Sequence, residues 1–192
     1  MEVDGLLLAA GAGRRAGGPK ALRTDPHNRP WVRRSVEVLL DGGCRRVHVV
    51  VGAAADEVAA LVPQNSPRVV VVRCPDWAGG IGASLRAGLT SFGGGAPDAV
   101  LVHLVDLPDV DARVVDRLVA RGSRTALARA TYGGRPGHPV LVGADHQPAL
   151  LRGLVDRAGA GTYLREHRAE QVECADLATG LDVDGPAEVR RA

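Results

Sequence analysis

The sequence predicts a three-layer α/β fold with a mainly parallel sheet. Short β-branched runs alternate with longer stretches at helical spacing. The runs are apolar almost throughout, as strands covered on both faces are. Helix start and stop signals fall between them. A chain of 192 residues with 45% hydrophobic content fills one substantial core, so a single domain over residues 1–192 is expected.

The elements follow in order. Strands are expected at 3–9, at "RVHVVV" from Arg46, "RVVVVRC" from Arg68, "AVLVHLVD" from Ala99 and "RTALARAT" from Arg124. Helices are expected near 30–41, 54–62, 80–91, 111–121, 147–155 and 160–167. The first of these opens with Pro30 and stops at Asp41-Gly42-Gly43, the asymmetry that helix ends favour. "FGGGAPD" at 92–98 reads as a turn before a strand. In open sheets of this kind ligands bind beyond the carboxyl ends of the strands, so residues just after each strand are the site candidates.

Composition removes several classes of function. A net charge of +2 comes from 24 basic and 22 acidic residues that are interspersed, which leaves no footprint for DNA or an anionic membrane. Aromatic residues make up 3%, too few for a stacking platform along single-stranded nucleic acid. Cys44, Cys74 and Cys174 form no C-x-x-C pair, so neither a disulfide framework nor a cysteine zinc site is suggested. The run "LLLAA" is too short to span a membrane and lacks a basic flank. A cytoplasmic protein with neither nucleic acid nor membrane among its partners is expected.

The stretch "GAGRRAGGPK" from Gly11 to Lys20 follows the first strand and holds the only lysine of the chain, against 23 arginines. Glycines at 11, 13, 17 and 18 let backbone N–H groups approach an anion. A Walker A loop is excluded, because Pro19 separates Gly18 from Lys20 and Ala21 stands where a hydroxyl is needed. Gly11 to Ala16 satisfies G-x-G-x-x-A, but Gly17-Gly18-Pro19 would break the helix which that motif must open. An extended loop that brings Arg14, Arg15 and Lys20 to a triphosphate remains.

Here the sequence resembles a known family. "LLLAAGAGRRAGGPKAL" is similar to the L-A-A-G-x-x-x-R-M-G-x-P-K signature of molybdopterin cytidylyltransferases and guanylyltransferases, with Lys20 at the family's lysine. "WAGGIGASLRAGL" at 77–89, "VHLVDLPDV" at 102–110, "GHPVLV" at 137–142 and "LDVDGPAEV" at 181–189 resemble further family segments in the same order. The resemblance implies a Rossmann-like nucleotidyltransferase fold. It also implies a magnesium-dependent transfer of CMP from CTP to a phosphorylated small-molecule acceptor, molybdopterin foremost, with release of pyrophosphate. Use of GTP, or of a sugar phosphate or phospholactate as acceptor, stays open, as does a nucleotide- or cofactor-binding module without turnover. Any molybdoenzyme that receives the product is not identified.

Residue roles follow from the chemistry and the resemblance together. Lys20, Arg15 and Asp106 are the catalytic candidates, since nucleotidyl transfer needs cations on the phosphates. Leu8, Ala9, Ala10, Gly11, Gly13, Arg14, Gly17, Gly80, Gly82 and Ser84 are the nucleotide-binding candidates, with L-A-A-G more like the cytidylyl branch. Asp106 closes its expected strand and, with Asp182 or Asp184, is the candidate ligand set for Mg2+, which takes one or two carboxylates plus phosphates. His138, in "GHPV", is assigned to the acceptor side. Ser84 competes with a reading as an N-cap or first-turn residue, Asp109 is left out of the site as a cap for the helix near 111, and His48 and His103 are read as hydrogen-bonded core. Ala16, Gly185 and Gly161 depart from the family's methionine, threonine and arginine.

Overall fold

The computed structural model describes residues 1–63, 66–154 and 158–183. Its elements in chain order are β1 (Val3–Leu8), α1 (Trp31–Asp41), β2 (Val47–Val51), α2 (Ala55–Leu61), β3 (Val69–Arg73), α3 (Ile81–Thr90), β4 (Ala99–Leu104), α4 (Ala112–Val119), β5 (Leu127–Tyr132), β6 (Arg135–Gly143), α5 (Gln147–Gly153), α6 (Gly161–Glu166) and β7 (Glu170–Glu173). The seven strands form one sheet in the order β3-β2-β1-β4-β6-β5-β7. All pairings are parallel except those of β6, which runs antiparallel to both β4 and β5.

Alternation along β1 builds the two outer layers. Leu7 packs with Val32, Val36 and Leu39 of α1 and with Val114 and Leu118 of α4. Its neighbour Leu6 turns to the other face, toward Leu85 and Leu89 of α3. Both leucines are fully buried, and each such side chain contributes roughly 1.5–3 kcal/mol. Helices α1, α2 and α4 therefore cover one face, and α3, α5 and α6 the other. Arg33 and Glu37 lie on the outer side of α1 and pair at 3.2 Å, one helical turn apart.

Two strands depart from the expectation. β6 follows β5 through Gly133 and Gly134, both at positive φ (59° and 75°), as a two-residue type I′ hairpin turn requires. β7, "EQVE", buries only Val172. The side chain of Glu173 fixes it to the hairpin: its carboxylate accepts the N–H groups of Gly133 and Gly134 at 2.9 and 3.1 Å and the hydroxyl of Thr131 at 3.0 Å.

The histidine expectations divide. His48 Nδ1 lies 2.6 Å from Ser91 Oγ and its ring stacks on Phe92, as hydrogen-bonded core. His103 is wholly buried, but neither ring nitrogen has a partner among the described residues. Burial holds it neutral, with its pKa lowered to about 3. Asp111, rather than Asp109, caps α4, through the N–H of Arg113 at 2.9 Å. Among the described residues no helix is long and apolar enough to cross a membrane.

Candidate active site

Strands β1 and β4 run side by side to the register pair Leu8 and Leu104, so the loops that leave them start together. β1 is flanked by β2 and β4, and the helices after β1 and β3 lie on opposite faces of the sheet. That places the two loops at the topological switch point where open sheets bind ligands. The β4 ladder ends at Leu104, and Asp106 lies two residues further on, in a turn, instead of closing the strand as expected.

The glycine loop folds back on itself. Gly13 sits at φ 56°, and its carbonyl accepts the N–H groups of Ala16 and Gly18 at 2.8 and 3.1 Å. A Cβ on Gly13 would lie 1.9 Å from the Gly18 carbonyl oxygen, so no other residue fits without moving the loop. Arg14–Ala16 makes one 3-10 turn and Lys20–Leu22 another, and the first α-helix begins only at Trp31. The helix that a dinucleotide motif must open at this point is absent, as Gly17-Gly18-Pro19 predicts.

This loop delivers Lys20 to Asp106. The ammonium Nζ donates to Asp106 Oδ2 at 2.8 Å, and the two side chains are 14% and 19% exposed. Around the pair lies a cleft of about 460 Å³ lined by Leu8, Ala10, Gly11, Gly13, Arg14, Arg15, Lys20, Gly80, Ser84 and Asp106. One cavity thus joins residues from three separate stretches of sequence. The α3 helix begins at the rim, with Gly80 as its N-cap and its first-turn N–H groups toward the positive end of the helix. Ser84 is the fourth residue of that helix, and its hydroxyl returns to the Gly80 carbonyl at 3.5 Å.

Other candidates lie elsewhere. Ala9 packs into the core on the α1 face, Gly82 is buried within α3, and Gly17 is exposed beyond the lined surface. His138 lines a second, adjoining cavity, where burial lowers its pKa to about 4. The segment 179–183 runs to the cleft: Thr179 donates its N–H to Asp109 Oδ2 at 2.6 Å, and the Val183 N–H donates to the Asp106 carbonyl at 3.1 Å. Asp182 is exposed beside that contact, and Asp184 lies outside the described residues. Trp77, which also lines the cleft, was not anticipated. Its signal was present, as one of two tryptophans in a chain poor in aromatics.

Among the described residues no group of three or more His, Cys, Asp and Glu could cage a metal. A hard cation held by one or two carboxylates and completed by substrate phosphates needs no such cage. Asp106, with its carboxylate at the cleft and the C-terminal segment bonded to its backbone, fits that mode of binding.

Comparison with known proteins gives a consistent family. Residues 5–172 match the MobA-like NTP transferase domain. The chain is 36% identical over 199 residues to the nicotine blue oxidoreductase of Paenarthrobacter nicotinovorans, covering 98% of this chain and 95% of that protein. The crystal structure of Rv0371c from Mycobacterium tuberculosis H37Rv superposes with a TM-score of 0.76 at 26% identity, over 96% of this chain and 93% of the other. Rv0371c has also been crystallised with manganese; that structure matches at TM-score 0.69 and 22% identity over 98% and 93% of the two chains. A nucleotidyl transferase from Methanothermobacter, Mth528, shares the fold at TM-score 0.78 and 22% identity, over 96% and 92%.

Proposed function

The chain belongs to the MobA-like NTP transferase family, and on that premise we propose that it transfers CMP from CTP to a phosphorylated acceptor, with molybdopterin the acceptor that the resemblance implies. An oxygen of the acceptor phosphate attacks the α-phosphorus, the bond from that phosphorus to the β-phosphate bridge breaks, and pyrophosphate leaves with the electron pair. The observation that carries this reading is the Lys20–Asp106 pair at 2.8 Å inside the cleft, which sets a mobile cation beside a carboxylate at the mouth of the glycine loop.

The roles follow from position. Lys20 is a point charge on a flexible stem and can follow the α-phosphate as negative charge builds on its oxygens, whereas Arg15 offers a planar fork to the terminal phosphates. Gly11 and Gly13 bring backbone close to the phosphates, and Ala10, Gly80 and Ser84 border the base and ribose. Asp106, with Asp182 or Asp184, would hold Mg2+, which supplies neutralising charge to the phosphates when bound.

A second reading has one observation behind it: the relative that covers 98% of this chain is named an oxidoreductase. Hydride transfer from a reduced dinucleotide in the same cleft would suit that name. The 3-10 turn at Arg14–Ala16, with no α-helix before Trp31, favours nucleotidyl transfer.

The test is to incubate the protein with each NTP, magnesium and a panel of phosphorylated acceptors, and to measure pyrophosphate. Release with CTP is expected. Faster release with GTP would reassign the base, release only with a sugar phosphate or phospholactate would reassign the acceptor, and no release with any pairing would leave a binding module or the redox reading.

A further inference from the structure

Leu8 and Ile81 line the cleft and also a second cavity of about 150 Å³ beside it. Its walls are Leu85 of α3, Val102 of β4, Val140 and Val142 of β6, Leu150 of α5 and Leu164 of α6. An apolar cavity of about that volume takes one benzene-sized ring. Among its described lining residues only two carry polar side chains, Arg129 on β5 and His138 on β6.

Arg129 is incompletely paired. One of its terminal nitrogens, Nη2, donates to the Gly137 carbonyl at 3.3 Å, but Nε is buried with no partner among the described residues. A guanidinium nitrogen against an apolar wall calls for an oxygen acceptor. His138 is neutral near pH 7, so it adds no second cation. In the sheet order β1-β4-β6-β5, Leu8 and Arg129 stand three strands apart, roughly 14 Å by strand spacing. A molecule that reaches from the cleft to Arg129 is elongated, with its ring at the far end.

We propose that this cavity seats an aromatic ring of the acceptor and that Arg129 fixes it through an oxygen borne on the ring, a carbonyl or a carboxylate. The role as acceptor site rests on the nucleotidyl-transfer reading; the ring site itself does not.

Binding of three one-ring probes tests it, read by ligand-detected NMR without nucleotide: benzoate, benzamide and toluene. Benzoate or benzamide should bind wild type at least tenfold more tightly than toluene. Benzoate alone in that position assigns a carboxylate, and the two together assign a carbonyl as sufficient. Arg129→Leu should abolish the preference. Gly161→Ile should weaken all three probes, because Gly161 lines the cavity and an added Cβ there meets no atom of the described residues within 4 Å. Lys20→Ala should bind all three as wild type does. Toluene binding as tightly as benzoate and benzamide, or Gly161→Ile leaving all three unchanged, overturns the site. Ring binding without pyrophosphate release under any pairing would refute the transfer and leave the ring site. Pyrophosphate release with acceptor KM unchanged in Arg129→Leu would leave the transfer and refute the cavity's role as acceptor site.

Discussion

Lys20 Nζ donates to Asp106 Oδ2 at 2.8 Å, and the contact ties the glycine loop after β1 to the turn after β4, 86 positions away in the chain. Each residue is largely shielded from water, which strengthens the attraction between the two charges.

Replacing Lys20 by alanine should lower nucleotidyl transfer by about 10²–10³, or about 2.7–4 kcal/mol, the loss seen when one preorganised donor is removed. Lys20→Arg should also be poor, because a planar fork cannot replace a compact charge on a flexible stem. Steady-state pyrophosphate release checks both. A rate for Lys20→Ala within about threefold of wild type would exclude the role.

Acid stability should report the buried histidines. Burial lowers His103 to about 3 and His138 to about 4 from an ordinary 6.5, so the folded protein keeps them neutral where the unfolded chain takes up protons. Stability therefore falls as pH drops below 6.5, and the loss is complete only below those folded values. His103→Leu removes one such group along with two ring nitrogens that have no partner among the described residues. Urea unfolding at pH 7 and pH 5 should show the variant at least as stable as wild type at the higher pH, with a smaller loss at the lower.

Glu173 acts in the same direction, but in a more acid window. Backbone donors, Gly134 first and then Gly133 and Ala175, hold its pKa down at about 2 against an ordinary 4.5. Its contribution is present above the ordinary value and is lost as pH falls through about 2. Glu173→Gln should loosen the β5–β6 hairpin from β7 at neutral pH, and should flatten the unfolding profile in that acid window. Amide hydrogen exchange at Gly133 and Gly134 is the local readout.

How much of this was legible in the sequence follows from what each signal depends on. β1 through β5 were readable because apolar runs and glycine stops are local, and Lys20 was readable because it breaks the chain's own preference for arginine. β6 was seen only as the motif "GHPVLV", since Pro136 and Pro139 argue against a strand until its neighbours are known. β7 was invisible because an edge strand with one buried residue has no alternation to show. "PDVDAR" offers two carboxylates for one cap, and only the start of α4 at Ala112 selects Asp111 and leaves Asp109 to hold Thr179. Within the site, side chains that point into the cleft at successive positions were inseparable in sequence: Ala10 lines it, whereas Ala9 faces the core. The missing hydrogen bonds of His103 depend wholly on tertiary packing and leave no trace in the pattern.

The most direct measurement of the central claim follows the label from CTP carrying a radioactive α-phosphate, incubated with magnesium, a phosphorylated acceptor and either wild type or Lys20→Ala. The account predicts that label moves to the acceptor as pyrophosphate is released, and that the variant transfers it at about a hundredth of the wild-type rate or less. Label that stays in CTP with every acceptor, or that moves equally well with the variant, would contradict it.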